Sequence, residues 1–349
     1  MTRLVRLPVA QAAALLALAA APAAAQNFRL VLPEASPRGE VTQTIGLTNI
    51  AVNYGRPGVN NRPIWGALVP FDTVWRAGAN INTVFSTTSA ISVAGKPLAA
   101  GRYGLFMIPG HDKWTVIFSK EADAWGHFSY TSSEDALRIT TSAVPSGMIE
   151  RLEYTMDDPT DRAVTLTLRW EKLAVPIPIT VDRDRVVLDS LRQQFRNLNR
   201  FFPQAWSQAS AWAMNNTKDM AIAEAWADSS INIQPSFTNV MLKSMLVRAR
   251  GDAATADQLK TRALGMATEA EVNAYGYQLL GQKNFDEAIA VLTKNTKDHP
   301  ASANVWDSLG EAYLLKGDKA KGKSYYQKAL SLYTDEVNKK RVTDILAKL

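Results

Sequence analysis

The amino-acid sequence predicts a protein of two parts, an antiparallel β domain followed by an α-helical repeat array. In the first half, short runs of β-branched and aromatic residues are separated by Gly, Pro and Asp turns, which is typical of antiparallel sandwiches and barrels. The second half places apolar residues three and four positions apart, as amphipathic helices do. With 349 residues, the chain is long enough for two domains of ordinary size.

The first 25 residues have the order of a secretory signal peptide. Arg3 and Arg6 precede an apolar run at residues 12–21, which is followed by the small residues Ala23-Ala24-Ala25. This run is too short to span a bilayer, because a membrane-spanning helix needs about 20 residues. The pattern predicts cleavage after Ala25 and an exported protein, periplasmic or secreted, without a membrane span.

The composition excludes several kinds of chemistry. The chain has no cysteine and three histidines, so thiolate metal sites, cysteine nucleophiles and disulfides are excluded, and we expect no metal centre and no cofactor. The net charge of +6 consists of two charges in the signal segment, zero over residues 27–180 and +4 over residues 181–349. Neither half has the clustered basic surface that binds nucleic acid, and we expect no nucleic-acid partner.

Residues 27–180 are predicted to form the antiparallel β domain. Its strand-like runs are residues 41–54, 83–93, 102–108, 114–119, 137–144, 149–156 and 163–170. In the last run, period-two alternation sends Leu166, Leu168 and Trp170 to one face of the sheet. Pro176 and Pro178 cannot donate ladder hydrogen bonds, which favours an edge or an exit segment there. We place the domain boundary between residues 180 and 187.

Residues 187–349 contain an internal repeat with an offset of 34 positions, which aligns Gly276 with Gly310 and Leu280 with Leu314. The period and several residues resemble the tetratricopeptide repeat family. Those residues are Trp306, Leu309, Gly310, Tyr313, Gly317 and Tyr326. Asn295 and Gly322 depart from the family pattern. Stacked helix pairs form a groove, and the resemblance implies a protein or peptide partner for it.

Residues 317–324 match the phosphate-loop expression GxxxxGK[ST]. That loop functions between a strand and a helix, where backbone amides converge on phosphate. The residues before Gly317 have a helical pattern, so we interpret this segment as the turn of a repeat and expect no nucleotide.

The segment from residue 53 to residue 80 is the richest in motifs within the β domain. It contains RPGVNNRPIWGALVP and VWRAGAN, and GRYGLFMIP, WTVIF and AWG follow later in the chain. Over about residues 36–181 these elements together resemble a bacterial exported family known as domain of unknown function 2911. Ala77 and His127 depart from the residues usual in that family. The family has no agreed activity, so the resemblance implies an architecture and not a mechanism.

Arginine and tryptophan side chains concentrate in this segment and suggest a pocket. Guanidinium groups bind carboxylates or phosphates through paired hydrogen bonds, and tryptophan faces stack on sugars or peptides. The candidate ligand-binding residues are Arg56, Arg62, Trp65, Trp75, Arg76, Asn80, Trp125 and His127. The alternative is structural, because arginine also ties loops to carbonyl groups and tryptophan also fills small cores.

The sequence contains no GxSxG or HExxH motif and no catalytic constellation. We therefore predict an exported, non-catalytic binding or scaffold protein whose repeats dock a protein or peptide partner, with the β domain as a second recognition surface. An alternative is a hydrolase-like envelope enzyme with a site built from Arg56, Arg62, Arg76, Asn80 and a carboxylate such as Asp72. A third interpretation makes the β domain a rigid spacer for the repeats.

Overall fold

The computed structural model describes residues 33–349, which divide into two compact units. Within the described range, the first unit contains residues up to Thr44 and Asn49–Thr180, and the second contains Ile45–Thr48 and Val181–Leu349. The predicted fold class is confirmed, because the first unit has two antiparallel sheets and the second is built of helices. The predicted signal peptide, residues 1–25, lies outside the described residues. Among residues 33–349, no helix has both the length and the apolar character needed to cross a bilayer.

Ten strands form the two sheets of the first unit. They are β1 (Arg38–Ile45), β2 (Thr48–Gly55), β3 (Val84–Thr87), β4 (Ile91–Val93), β5 (Lys96–Leu98), β6 (Gly101–Ile108), β7 (Trp114–Ser119), β8 (Asp135–Thr141), β9 (Val144–Asp157) and β10 (Ala163–Thr180). One sheet has the order β1-β2-β3-β6-β7-β8 and the other the order β5-β4-β10-β9.

Aromatic side chains join the two sheets across the core. Leu166, Leu168 and Trp170 on β10 are buried on one face, as the alternation predicted. Tyr54 on β2 meets Tyr154 on β9 edge to face, with their ring centroids 4.8 Å apart. The Tyr54 hydroxyl also accepts a hydrogen bond from the backbone N–H of Tyr154 at 3.1 Å. These contacts give the unit its sandwich-like core.

Two of the predicted strand runs are divided in the structure. The run at residues 41–54 turns at Gly46, whose φ is +60°, and becomes β1 and β2. The run at residues 83–93 becomes β3 in the first sheet and β4 in the second. Period-two alternation does not reveal these breaks, because both parts of each run show the alternation of a β-strand.

Strand β10 continues through Pro176 and Pro178, where the sequence predicts an edge or exit segment. Its pairing with β9 ends at Ala174, and beyond the prolines Ile179 and Thr180 pair with β4 alone, as expected of such a segment. The prolines are tolerated because no ladder hydrogen bond at their positions needs the missing N–H group, while their carbonyls still accept hydrogen bonds. Pro178 O accepts from the backbone N–H of Ala94 at 2.8 Å, and Pro176 O accepts from the Thr141 hydroxyl at 2.7 Å.

Helices account for most of the second unit. They are α1 (Arg183–Gln194), α2 (Pro203–Asn216), α3 (Met220–Ile233), α4 (Phe237–Ala249), α5 (Ala253–Met266), α6 (Glu269–Gly281), α7 (Phe285–Asp298), α8 (Ala303–Lys316), α9 (Lys319–Leu332) and α10 (Glu336–Leu346). Helices α2 to α9 form four successive pairs, and equivalent helices begin 32 to 34 residues apart. The helical unit is therefore a tetratricopeptide-like array, and it extends upstream of the two copies that the 34-residue offset detects.

The eighth residue of each first helix is small and packs against the second helix of its pair. It is Ser210 in α2 and Ser244 in α4, whose hydroxyls donate to carbonyls of α3 and α5 at 2.7 and 2.6 Å. In α6 and α8 the equivalent residues are Gly276 and Gly310. A Cβ atom on Gly276 would lie 2.6 Å from a methyl carbon of Leu292, so only glycine fits beside this leucine.

The two departures from the repeat pattern have structural reasons. Gly322 occupies the fourth position of α9, where the other second helices have alanine, and a Cβ atom there would lie 2.3 Å from Leu314 Cδ2. Asn295 is fully buried and donates its Nδ2 to the carbonyl of Glu269 at 3.1 Å. Both positions therefore serve helix packing.

The phosphate-loop look-alike is a turn between two helices. Gly317 ends α8 with a φ of +97°. The carboxylate of Asp318 then accepts a hydrogen bond from the backbone N–H of Lys321 at 3.0 Å and caps α9. The start of α9, where a phosphate would bind in a true phosphate loop, thus already holds a negative side chain.

Candidate functional site

One cavity in the β unit collects five of the predicted site residues. It encloses about 470 Å³. The predicted residues that line it are Arg62, Trp75, Arg76, Asn80 and His127. Among residues 33–349, no Asp or Glu side chain contributes to its lining. We call this space the arginine cavity, and whether it binds a ligand stays a prediction.

Backbone hydrogen bonds fix the loop that carries Trp75 and Arg76. Trp75 and Met107 of β6 exchange two backbone hydrogen bonds of 2.8 Å each. The carbonyl of Ala77 accepts hydrogen bonds from the hydroxyls of Tyr154 and Thr83 at 2.9 and 3.1 Å. The loop is therefore anchored to strands of both sheets.

The same loop contains unusual backbone angles. Asp72, Ala77 and Asn80 have positive φ values of +58°, +49° and +64°. Non-glycine residues adopt this region rarely, and such strain persists only where the surroundings enforce it. Across the cavity, a Cβ atom on Gly126 would lie 2.9 Å from Arg76 Nη1, so glycine lets this backbone approach the guanidinium group.

Tryptophan rings form one wall of the arginine cavity. Trp75 stacks on Trp170 with ring centroids 6.0 Å apart and an angle of 18° between the planes. Trp65 meets the edges or faces of Trp75, Trp114 and Trp170 at 5.9, 4.9 and 5.7 Å. Trp75 and Trp170 line the cavity, whereas Trp65 belongs to the layer that supports them.

The two arginines of the cavity differ in their partners. Arg62 is exposed and donates to the carbonyls of Val59 and Gly58 at 3.1 and 2.7 Å. Arg76 is partly buried and makes no hydrogen bond or ion pair with any residue between 33 and 349. Burial without a compensating carboxylate lowers the pKa of Arg76 from its ordinary value.

His127 and Asn80 complete the polar lining. Burial, and secondarily the charge of Arg76, lower the pKa of His127, which favours its neutral form. Asn80 donates its amide Nδ2 to Glu34 at 2.6 Å and to the Ser36 carbonyl at 3.1 Å. The cavity therefore presents a permanent positive charge at Arg76 beside a neutral imidazole.

Three predicted site residues do not line the cavity. Arg56 donates to the carbonyl of Leu152 at 3.1 Å and lies 3.6 Å from the carboxylate of Glu153, so it ties the end of β2 to β9. Trp65 lies in the supporting layer. Trp125 is 66% exposed and stacks on Phe128 at 5.7 Å.

The carboxylate considered for the enzyme alternative is also elsewhere. Asp72 is exposed and does not line the arginine cavity. Its backbone N–H donates to the carbonyl of Pro109 at 2.8 Å, which holds the loop near the end of β6. In the part of the chain from residue 33 onward, no group of three His, Asp or Glu side chains is placed to hold a metal ion.

Sequence reasoning missed Trp170 as a lining residue. The alternation in β10 correctly assigned it to a buried face, but Trp170 lies far along the chain from Trp75. Its indole N–H has no hydrogen-bond partner among residues 33–349, and this can be recognised only in the folded structure.

The helical unit has a second candidate surface. A groove of about 600 Å³ is lined entirely by α2, α4 and α6, the first helices of three consecutive pairs. Its large apolar side chains are Met214, Phe237, Met241, Leu242, Met245 and Tyr275. We call it the methionine groove.

The chain is thus a two-unit protein in which an antiparallel β domain precedes a tetratricopeptide-like repeat array. Residues 36–179 match the family model described as Protein of unknown function (DUF2911), which confirms the resemblance seen in the motifs. No curated protein matches the chain.

Solved structures with similarity to the chain include Pseudomonas aeruginosa pilF, with 20% identity, a TM-score of 0.26, and coverage of 42% of this chain and 75% of that one. YrrB, described as a TPR protein with an unusual peptide-binding site, has 14% identity, a TM-score of 0.28, and coverage of 47% and 84%. MamA from Desulfovibrio magneticus RS-1 has 19% identity, a TM-score of 0.26, and coverage of 41% and 81%. The four helix pairs themselves define the repeats.

Proposed function

We propose that this is an exported, non-catalytic binding protein. Its helical repeats bind a peptide segment of a partner protein, and its β domain supplies a second recognition surface. The observation that carries the proposal is the methionine groove, because three first helices present a continuous apolar surface there.

The chemistry of the groove favours an apolar peptide segment. Among residues 33–349, Glu271 is the one charged residue in its lining. The Glu271 carboxylate accepts hydrogen bonds from the backbone N–H and the hydroxyl of Thr268, both at 2.9 Å, so it is held at the start of its own helix. A single carboxylate gives little basis for recognising a highly charged partner, whereas flexible methionines adapt to apolar side chains of different shape.

Exposure within the groove also fits a binding role. Met245 is 45% exposed on α4, although it lies beside Met241, which is 7% exposed. An apolar side chain that is left partly in water is covered favourably by a partner, at about 25 cal/mol for each Å² of apolar surface that becomes buried. Export is supported by the signal-peptide order of residues 1–25.

The test uses the full chain and peptides selected from a displayed random library. Selected peptides are synthesised, and their affinities for the wild type, Met245→Asp and Met266→Asp are measured by fluorescence anisotropy. Met266 is the matched control, because it is 38% exposed at the end of the second helix α5 and does not line the groove.

We expect the selected peptides to be rich in apolar residues. Met245→Asp should weaken their binding by about tenfold or more, since a tenfold loss requires only about 1.4 kcal/mol. Met266→Asp should leave the affinity unchanged. Equal losses in both variants, or selection of charged peptides without apolar anchors, would contradict the proposal.

A further inference from the structure

Among residues 33–349, no Asp or Glu side chain lines the arginine cavity, although the Glu34 carboxylate accepts a hydrogen bond from the lining residue Asn80. Arg76 has no partner among the described residues, whereas several other arginines of the β unit have carboxylates close by. Arg169 lies 2.8 Å from Asp157, and Arg102 lies 2.9 Å from Asp123. Partial burial of an unpaired guanidinium group costs free energy, and this cost is offset when an anion binds beside it.

Unpartnered polar atoms concentrate around the same cavity. Over residues 33–349, seven buried side-chain nitrogen or oxygen atoms lack a hydrogen-bond partner. Three of them belong to residues that line the cavity: Arg76 Nε, His127 Nδ1 and Trp170 Nε1. Buried polar groups in folded proteins are nearly always satisfied. Because arginine and indole nitrogens only donate, they require acceptor oxygens.

Trp170 provides an independent indication that a ligand belongs here. Its side chain is 1% exposed, it lines the cavity, and its indole N–H has no acceptor. A donor that is buried this deeply cannot bond to bulk water in place of a protein acceptor. The aromatic wall of the cavity therefore includes a residue whose buried N–H is unsatisfied, in addition to the guanidinium group.

Apolar and aromatic side chains form a large part of the remaining lining, beside the polar Ser36, Thr73 and Asn80. Trp75 and Trp170 present nearly parallel rings, and Leu68, Val69 and Val74 add aliphatic surface. The volume of about 470 Å³ falls within the range of small-molecule pockets. A bare inorganic ion would leave this apolar surface without a partner.

We infer that the arginine cavity binds a small organic anion, a carboxylate or phosphate ester with a flat apolar body. Its charged oxygens accept hydrogen bonds from Arg76, with His127 beside them. Its apolar body lies against Trp75 and Trp170. This inference rests on the proposed role of the β domain as a recognition surface, but it does not depend on peptide binding in the methionine groove.

The experiment measures binding of defined probes to the full chain by isothermal titration calorimetry and tryptophan fluorescence. The probes are phenylacetate, phenyl phosphate, the neutral analogue phenylacetamide, and inorganic phosphate. We expect at least one of the two organic anions to bind at least about tenfold more tightly than phenylacetamide and than inorganic phosphate. The stronger of the two identifies the head group. Failure of both organic anions to bind, or equal binding of phenylacetamide, would overturn the inference.

Variants locate the binding in the cavity. Arg76→Gln should weaken the anion by about tenfold or more, whereas the matched control Arg102→Gln should retain wild-type affinity. If Arg76→Gln loses its cooperative unfolding transition, Arg76→Lys replaces it. This variant keeps the charge but loses the planar fork, so it should still weaken binding severalfold. Wild-type affinity in the Arg76 variant would overturn the inference.

The two proposed binding sites can be tested independently of each other. Met245→Asp should bind the organic anion as the wild type does, and Arg76→Gln should bind the selected peptides as the wild type does. Loss of anion binding in Met245→Asp would show that the anion does not occupy the arginine cavity. Loss of peptide binding alone would contradict the proposed groove and leave the anion site standing.

Discussion

Replacing Gly276 with serine should push apart the two helices of the third repeat. A Cβ atom at this position would lie 2.6 Å from Leu292 Cδ2 and 2.7 Å from Leu292 Cγ. Leu292 is fully buried, so its side chain has no free space to enter. Overpacking of this kind typically costs about 1–3 kcal/mol of unfolding free energy.

The first repeat indicates which second change relieves the clash. The equivalent pair there is Ser210 on α2 and Ala227 on α3, a larger residue facing a smaller one. Leu292→Ala alone removes buried volume and should cost about 2–5 kcal/mol. In the double variant Gly276→Ser/Leu292→Ala, the serine occupies part of that volume. The double variant should therefore lose about 1–3 kcal/mol less than the sum of the two single variants.

Urea unfolding followed by circular dichroism at 222 nm reports mainly on the helical unit, and the four proteins form a double-mutant cycle. Gly281→Ala is the control, because it lies on the same helix and its added Cβ would meet no atom within 4 Å. It should be neutral or stabilise by up to about 1 kcal/mol. If the losses of the two single variants add up to the loss of the double variant within about 0.5 kcal/mol, positions 276 and 292 do not approach each other closely.

Two further predictions concern the β unit and the N-terminus. The pKa of His127 is lowered in the folded state, so the unfolded chain binds a proton at this residue at a higher pH than the folded chain does. The free energy of unfolding should therefore be highest with respect to this group well above pH 6.5, and it should decline as the pH falls below that value. Urea unfolding of the β unit, followed by tryptophan fluorescence between pH 7.5 and 5, should show this decline. The decline should be smaller in His127→Gln. The same dependence of unfolding free energy on pH in both proteins would contradict the lowered pKa of His127. Expression in a bacterial host with secretion machinery should yield a periplasmic or secreted protein that begins at Gln26 by N-terminal sequencing, and recovery of only the uncleaved chain in the cytoplasm would contradict export.

A strict 34-residue match of letters identifies only part of the repeat array, although residues 220–235 and 237–264 are also predicted as degenerate units. Gly276 and Gly310 match across 34 positions, and this match identified the last two helix pairs. In the first two pairs the equivalent residues are Ser210 and Ser244, which occupy more volume and donate a hydrogen bond across the pair instead. In the first pair the facing residue, Ala227, is also smaller than its equivalent Leu292 in the third pair, and a comparison of letters does not detect this compensation.

The candidate site was predictable as a segment but not as a cavity. Arg62, Trp75, Arg76 and Asn80 belong to one motif-rich stretch, and their composition suggested a pocket. Arg56 belongs to the same stretch, yet its guanidinium group binds β9. Which side chains converge depends on long-range packing of the loop against β6 and β10, and local residue types do not specify this.

The strain in the loop gives a physical reason for the arrangement of the arginine cavity. Ala77 is fully buried with a φ of +49°, although glycine would adopt that angle at lower cost. Its carbonyl is held by the hydroxyls of Tyr154 and Thr83, so the fold enforces this angle from both sheets. The residue before it is Arg76, whose guanidinium group has no partner among the described residues. Ala94, in the turn between β4 and β5, also has a positive φ of +48°, so the strained angle by itself does not mark a site, and the unpaired charge beside it distinguishes this loop. Their occurrence at adjacent residues is expected of a rigid loop that presents an arginine to a ligand.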